Sequence, residues 1–343
     1  MFNKENVGPG GARNRGLSIS RTKYIGFADS DDYFIGVFDE HKFYKSCKLK
    51  ADLIPIQIIN PMKEASYKYS ENKLEVLDID GFLGRRSATV TNEVWGYLYR
   101  REFLIKSNCE FIKAYYGEDV AFLSRVFSSK PKIIEASICK YLHSASIGLS
   151  RSIRSDKLYD LNCVLGELTH LIVKSRITGN LLLWVDKLKL EILEQVEFCF
   201  AISECYDSDI FARSSETYNQ LGLCLMDRVE HIKSSLRFVA NHCATASKVY
   251  LYCLSDRSIL LGVRLASTMN SNVSIIDDVR HGFCLHEGLR IECSPAIVLA
   301  KCSSDTVVVI VHRKREICEK IVASVRAIQP SLRILSFDHS TVY

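Results

Sequence analysis

Asp29-Ser30-Asp31-Asp32 follows directly on the short apolar run Tyr24–Ala28, YIGFA. Three carboxylates at the end of a strand make a hard-oxygen site of the kind that suits Mn²⁺ or Mg²⁺. Such an ion can bridge two phosphates and neutralise a departing diphosphate. The carboxyl ends of parallel strands are also where open α/β sheets bind their ligands. Taken alone, the four residues equally describe a solvated acidic turn. The neighbouring sequence has to decide between the two.

Strand-like and helical runs divide the chain into three regions. Residues 1–150 mix short strands with polar loops. There Asp52–Ile59 (DLIPIQII) reads as an edge strand interrupted by Pro55, Val94–Tyr99 is aromatic-rich, and Glu118–Phe127 reads as a helix. Residues 151–245 read as helical. Leu161, Leu165, Leu168 and Ile172 share one helical face, and so do Leu221, Leu225, Val229, Ile232 and Leu236. Leu181 to Ile202 is a long, mostly apolar helix between them. These helices suit a small bundle packed on the first region, with a membrane-surface or subunit contact as the other reading. Residues 246–343 alternate: strands at 249–254, 273–276, 306–311 and 333–337, helices at 259–269, 295–301 and 316–328. Strands separated by helices imply βαβ units and a parallel sheet.

Upstream of the acidic turn lies Gly10-Gly11-Ala12-Arg13-Asn14-Arg15-Gly16-Leu17. The whole segment, GPGGARNRGLSISRTKYIGFADSDDYF, resembles the family 2 inverting glycosyltransferases: a Gly/Ser turn, ARN-x-G-L, a short helix, a strand, then D-x-D-D. Further on, Asn92–Leu104 (NEVWGYLYRREFL) is similar to the family's W-x-K-L-Y-R-R-x-F-L segment. It is followed by Tyr116-Gly117-Glu118-Asp119 at the start of the expected helix. The resemblance covers about residues 6–150.

The resemblance implies a GT-A type α/β domain that binds a nucleotide-sugar donor, commonly a UDP-sugar. It assigns Arg13 to the donor, Asp29 to ribose or metal, and Asp31 to a Mn²⁺ or Mg²⁺ ion. It makes Asp119 the general base, with Glu118 as a supporting carboxylate. The pair also reads as an acidic cap at a helix N-terminus. Trp95 reads as an aromatic wall for the acceptor sugar or as a core residue. The loop Tyr141–Arg151 is a looser match. His143, Arg151 or Arg154 could close it over a diphosphate, and an ordinary solvated loop reads as well. The acceptor implied is a saccharide or a lipid-linked intermediate of polysaccharide or glycolipid synthesis.

Family members normally begin with strands that read the base, and nothing ahead of Asn6 supplies them. The expectation is therefore an incomplete GT-A domain that pairs with a protein partner or a second copy. A catalytically inactive nucleotide-sugar-binding or assembly subunit is the alternative. The last region is similar to a small Rossmann-like domain. Its first turn, Cys253-Leu254-Ser255-Asp256-Arg257-Ser258, lacks the glycines of G-x-G-x-x-G. It reads as degenerate, serving packing or assembly, with no NAD.

The formal charge of +5, from 45 basic and 40 acidic residues, gives no argument for nucleic acid. The 13 cysteines are odd in number and without C-x-x-C spacing, which argues against a disulfide framework or zinc. No secretory leader or run of ~18 apolar residues is visible. The expectation is a cytoplasmic protein, with peripheral contact at the inner face of the membrane compatible with its mild basicity.

Overall fold

The computed structural model describes residues 6–30, 32–59, 74–86, 92–136, 138–142, 157–174, 177–202, 208–252, 255–268, 272–277, 283–286, 289–293, 295–312 and 314–343. The chain is a mixed α/β protein with a helical middle. It divides into two units, Met1–Ser146 with Asp156–Leu193, and Ile147–Ser155 with Glu194–Tyr343.

The first unit opens with helix α1 (Gly8–Ile19), so the Gly-rich stretch expected as a turn is helical. Strands β1 (Tyr24–Gly26) and β2 (Tyr33–Ile35) flank the acidic turn, and α2 (Glu40–Lys48) follows. The run DLIPIQII is not one edge strand: its first half lies inside a sheet and only its second half, Gln57–Ile59, at an edge. It splits into β3 (Leu53–Pro55) and β4 (Gln57–Ile59), which belong to different sheets. Proline has no N–H for a ladder, so β3 ends at Pro55. Ile56 N–H then donates to Gly96 O at 2.8 Å as the chain crosses over.

After β5 (Glu75–Leu77) and α3 (Ile79–Arg86), the aromatic segment forms a 3₁₀ turn (Val94–Gly96) and β6 (Tyr97–Arg100). Then come α4 (Arg101–Lys106), α5 (Glu118–Ser128), β7 (Ile133–Glu135) and β8 (Lys140–Leu142). One sheet has the order β1-β6-β3-β7-β5, the other β2-β8-β4. β1 pairs with β6 antiparallel, at the edge of its sheet. The acidic turn thus follows a strand as expected, but not one in a parallel ladder. Under it lies a ring core: Phe27 packs edge-on against Phe111 and Phe122 at 5.2 and 5.9 Å between centroids, and those two stack at 4.0 Å.

The middle of the chain is helical. Helix α6 (Lys157–Lys174) buries Leu161, Leu165 and Leu168, the face expected, together with Val164 and Leu171. α7 (Gly179–Ile202), α8 (Ser208–Gln220) and α9 (Leu225–Cys243) follow. No helix among the described residues is long and apolar enough to cross a membrane.

The second unit holds a seven-stranded sheet. Its elements are β9 (Lys248–Tyr252), α10 (Asp256–Thr268), β10 (Asn272–Asp277), β11 (Phe283–His286), β12 (Leu289–Cys293), α11 (Pro295–Leu299), β13 (Thr306–Ile310), α12 (Arg315–Ile328), β14 (Arg333–Ser336) and β15 (Thr341–Val342). The five strands β12-β10-β9-β13-β14 are parallel. Numbered by their own succession they run 3-2-1-4-5, the Rossmann order with its reversal between β9 and β13. The hairpin strand β11 and the terminal β15 pair antiparallel at the two edges. The fully buried strand Val307–Ile310 packs with Ile334, Cys318 and Val325 in the core.

Candidate functional site

Arg13 projects from α1 into a group of carboxylates drawn from two distant segments. Its Nη2 lies 2.8 Å from Asp29 Oδ1, and its Nη1 lies 2.7 Å from Glu118 Oε1 and 2.5 Å from Asp119 Oδ1. The guanidinium also lies 5.5 Å from the centroid of the Phe111 ring, an arrangement that favours a cation. Two glycines permit this approach. Any Cβ on Gly10 would stand 2.7 Å from Ile112 O, so glycine lets α1 come close to the segment before α5. Gly117, with φ +73°, lies in the left-handed region at the N-cap of α5. It turns the chain so that Glu118 and Asp119 fall in the first helical turn, where the helix dipole favours anions.

The electrostatics follow from crowding. Burial and the neighbouring charge of Glu118 push Asp119 well above the usual carboxylate range, with Arg13 pulling it back. Burial likewise raises Glu118 against the pull of Arg13. Burial works against the charge of Arg13, but Asp119, Glu118 and Asp29 outweigh it and hold the guanidinium protonated. Chemically the group pairs a fixed cation with a carboxylate of raised basicity.

The acidic turn is closed by Asp32 N–H donating to Asp29 O at 3.2 Å. Asp31 lies outside the described residues, as do His143, Arg151 and Arg154. Among the described residues, no group of three or more His, Cys, Asp and Glu side chains is set to hold a metal ion. Asp29, assigned by resemblance to metal or ribose, is engaged by Arg13. Trp95 is 4% exposed, and one face of its ring stacks on Tyr141 at 4.8 Å and 12°. In this conformation it is a core residue and turns no face to an acceptor sugar.

Three residues that the sequence did not single out shape the site. Asn14 brackets Phe111: its Oδ1 accepts from Phe111 N–H at 2.8 Å and its Nδ2 donates to Phe111 O at 2.9 Å. The ARN segment thus supplies one residue for charge and the next for backbone docking. Asp160, in α6, accepts from the N–H groups of Tyr115 and Tyr116 at 2.8 and 3.3 Å and so fixes the turn before Gly117. Tyr141 Oη contacts both Asp29 and Asp32. Asn14 was in view inside its motif. Tyr141 heads the loop that loosely matches the family, which reads by its cations and not by this hydroxyl, and Asp160 lies in unremarkable sequence.

In the second unit, the start of α10 is where a Rossmann fold would receive a phosphate. There Ser258 N–H donates to Ser255 Oγ at 3.1 Å, a self-contained cap. Arg257 pairs with Asp338 and lies over the rings of Phe198 and Phe337, 5.1 and 5.7 Å from their centroids. A cavity of about 140 Å³ beside it is lined by Glu197, Arg228, Arg257 and Asp338 among others. That is well below the ~300–1,000 Å³ of ordinary ligand pockets.

The glycine-bearing helix, the acidic turn and the Glu118-Asp119 helix are the segments that resemble the glycosyltransferases of family 2, and the match to that family's model bears on the first two of them. Residues 1–41 match the model of glycosyl transferase family 2. The uncharacterized glycosyltransferase YibD of Escherichia coli strain K12 is 25% identical over 158 residues, 43% of this chain and 46% of that protein. The match thus spans about half the length of that curated relative. S. aureus TarS 1–349, crystallised in complex with UDP-GlcNAc, superposes with a TM-score of 0.41 at 13% identity, covering 84% of this chain and 78% of that one. A longer S. aureus TarS structure gives 0.40 at 12% identity, covering 84% and 46%.

Proposed function

We propose that the first unit transfers a sugar, with inversion, from a nucleotide-sugar to an acceptor hydroxyl. A single observation carries this reading. Two motifs far apart in the chain meet at Arg13, which touches Asp29, 16 positions on, and Glu118 and Asp119, 105 and 106 positions on. Asp119, its basicity raised by burial, takes the proton from the acceptor hydroxyl as that oxygen attacks the anomeric carbon. Glu118 shares Arg13 with it and sustains the local charge balance. Arg13 exchanges its contact with Asp29 for the diphosphate of the incoming donor, a guanidinium being well matched to phosphate oxygens.

Asp29 and Asp31 would hold a Mn²⁺ or Mg²⁺ ion, whose chemistry is charge neutralisation on the leaving nucleoside diphosphate. The donor class is a UDP-sugar. The acceptor is a saccharide or lipid-linked intermediate. One observation favours the alternative of a non-catalytic, nucleotide-sugar-binding subunit: Arg13 engages all three carboxylates at once, the candidate base included. A radiolabelled transfer assay over a panel of UDP-sugars, with donor binding measured in parallel, separates the two. Transfer that Asp119→Asn abolishes while donor binding persists supports the enzyme. Binding without transfer in the parent supports the subunit.

A further inference from the structure

The hydroxyl of Tyr141 has no part in the reaction above, yet it spans the acidic turn. It accepts from Asp29 N–H at 3.0 Å and donates to Asp32 Oδ2 at 2.8 Å. Its single proton therefore goes to one end of the turn, and a lone pair serves the other. The side chain is fully buried, on the central strand of its sheet, with Phe34 and Ile58 as its register partners on β2 and β4. A residue that merely filled this core position would need the ring and not the oxygen.

The ring makes a second connection. It stacks on Trp95, and the residue before Trp95 reaches the helix of the candidate base. Val94 N–H lies 3.5 Å from Asp119 Oδ2, and Val94 O accepts from Tyr99 Oη at 2.8 Å. One aromatic pair thus stands between the turn at 29–32 and Asp119.

We infer that Tyr141 is a positioning residue for the donor site: its hydroxyl sets the spacing of Asp29 and Asp32, and its stack on Trp95 keeps that turn in register with Asp119. The turn is then rigid before a nucleoside diphosphate arrives, which lowers the ordering cost of binding. This inference rests on the nucleotide-sugar reading of the site.

Tyr141→Phe keeps the ring and removes the oxygen. The test compares it with the parent in three measurements: calorimetric titration of UDP with Mn²⁺, exchange of the Asp29 amide, and transfer kinetics. The variant is expected to bind UDP roughly 10–100-fold more weakly, because Asp32 loses a buried donor. Its Asp29 amide should exchange about tenfold faster or more, since its acceptor is gone. KM for the donor should rise more than kcat falls, a split that a general loss of stability would not give. Should Tyr141→Phe fail to fold, Asp32→Asn weakens the bond that the hydroxyl donates while leaving the acceptor of the Asp29 amide in place, and UDP affinity and the donor KM are then the readouts. Unchanged UDP affinity together with unchanged Asp29 exchange overturns the inference. If the parent itself binds no nucleoside diphosphate, the nucleotide-sugar reading fails, and Asp29 exchange alone still decides whether the hydroxyl holds the turn.

Discussion

Arg13 Nη1 stands 2.5 Å from Asp119 Oδ1 although the two are 106 positions apart in the chain. With Glu118 and Asp29 at the same guanidinium, one cation answers three carboxylates. The excess negative charge is what makes the site responsive to pH and to an incoming anion or cation.

Arg13→Ala should therefore be severe. It leaves Glu118 and Asp119 in largely buried positions without their cation, a loss on the order of 3–5 kcal/mol by analogy with broken buried pairs. Acidification protonates the carboxylates and removes the charge that has lost its partner. The deficit, read by urea denaturation, should shrink as pH falls. A deficit that stays constant from acidic to mildly alkaline buffer would show that the cation contributes packing and not charge.

Asp119→Asn separates stability from chemistry. The folded carboxyl titrates above its unfolded value of roughly 4. Between those two values the folded chain keeps a proton that the unfolded chain has lost, so stability falls as pH rises through that window and is level beyond it. Asparagine cannot ionise and escapes this fall. The melting temperature of the variant relative to the parent should rise with pH across the window, while transfer drops by about 10²–10⁴ and UDP affinity holds. Parallel melting curves for the two proteins would refute the raised titration. Loss of UDP binding would move Asp119 from the base to the donor site.

For the metal, Asp31→Asn should remove the gain in UDP affinity that Mn²⁺ brings to the parent, because one anionic ligand is lost. Asp29→Asn should weaken UDP binding less, since it also frees one side of Arg13 for the diphosphate. Calorimetry with and without Mn²⁺ measures both. Identical affinities in parent and Asp31→Asn under both conditions leave no role for the ion at that residue.

The second unit should show no thermal shift with NAD, NADP or CoA. The first turn of α10 is capped by Ser255, and Arg257 is taken up by Asp338 and two rings. Arg257→Ala should lower the melting temperature of this unit, because Asp338 is left without its cation. A saturable shift with any of the three cofactors would reinstate a dinucleotide site.

Much of the second unit is legible from sequence, since VYLYCL and TVVVIV are apolar runs bounded by helical patterns. The missed hairpin β11 and β12 has a plain cause. Arg290 and Glu292 break the apolar run of β12, and the ion pair of Glu292 with Lys248, which Arg290 joins from the same strand, is a tertiary matter. In the first unit the motif residues were legible, but their partners were not. Arg13 reads as a donor ligand, whereas its contacts are Asp29, Glu118 and Asp119. Pro55 reads as the mark of an edge strand, whereas it ends β3 in mid-sheet. Tyr141 and Asp160 each act through a pair of hydrogen bonds across long separations, which leave no periodicity to detect.

The bond from Asp160 to the backbone of Tyr115 and Tyr116 bears on how this protein can be cut. The turn that presents Glu118 and Asp119 is tied to a helix that begins only at Lys157, and a Cβ on Gly117 would press on Val164 of that same helix. A fragment ended at residue 150 would keep Arg13, Asp29, Glu118 and Asp119 and lose the clamp that aims the last two. One that runs to the end of α7 at Ile202 retains it and severs no helix. A fragment meant to keep Glu118 and Asp119 aimed at Arg13 should reach at least that far.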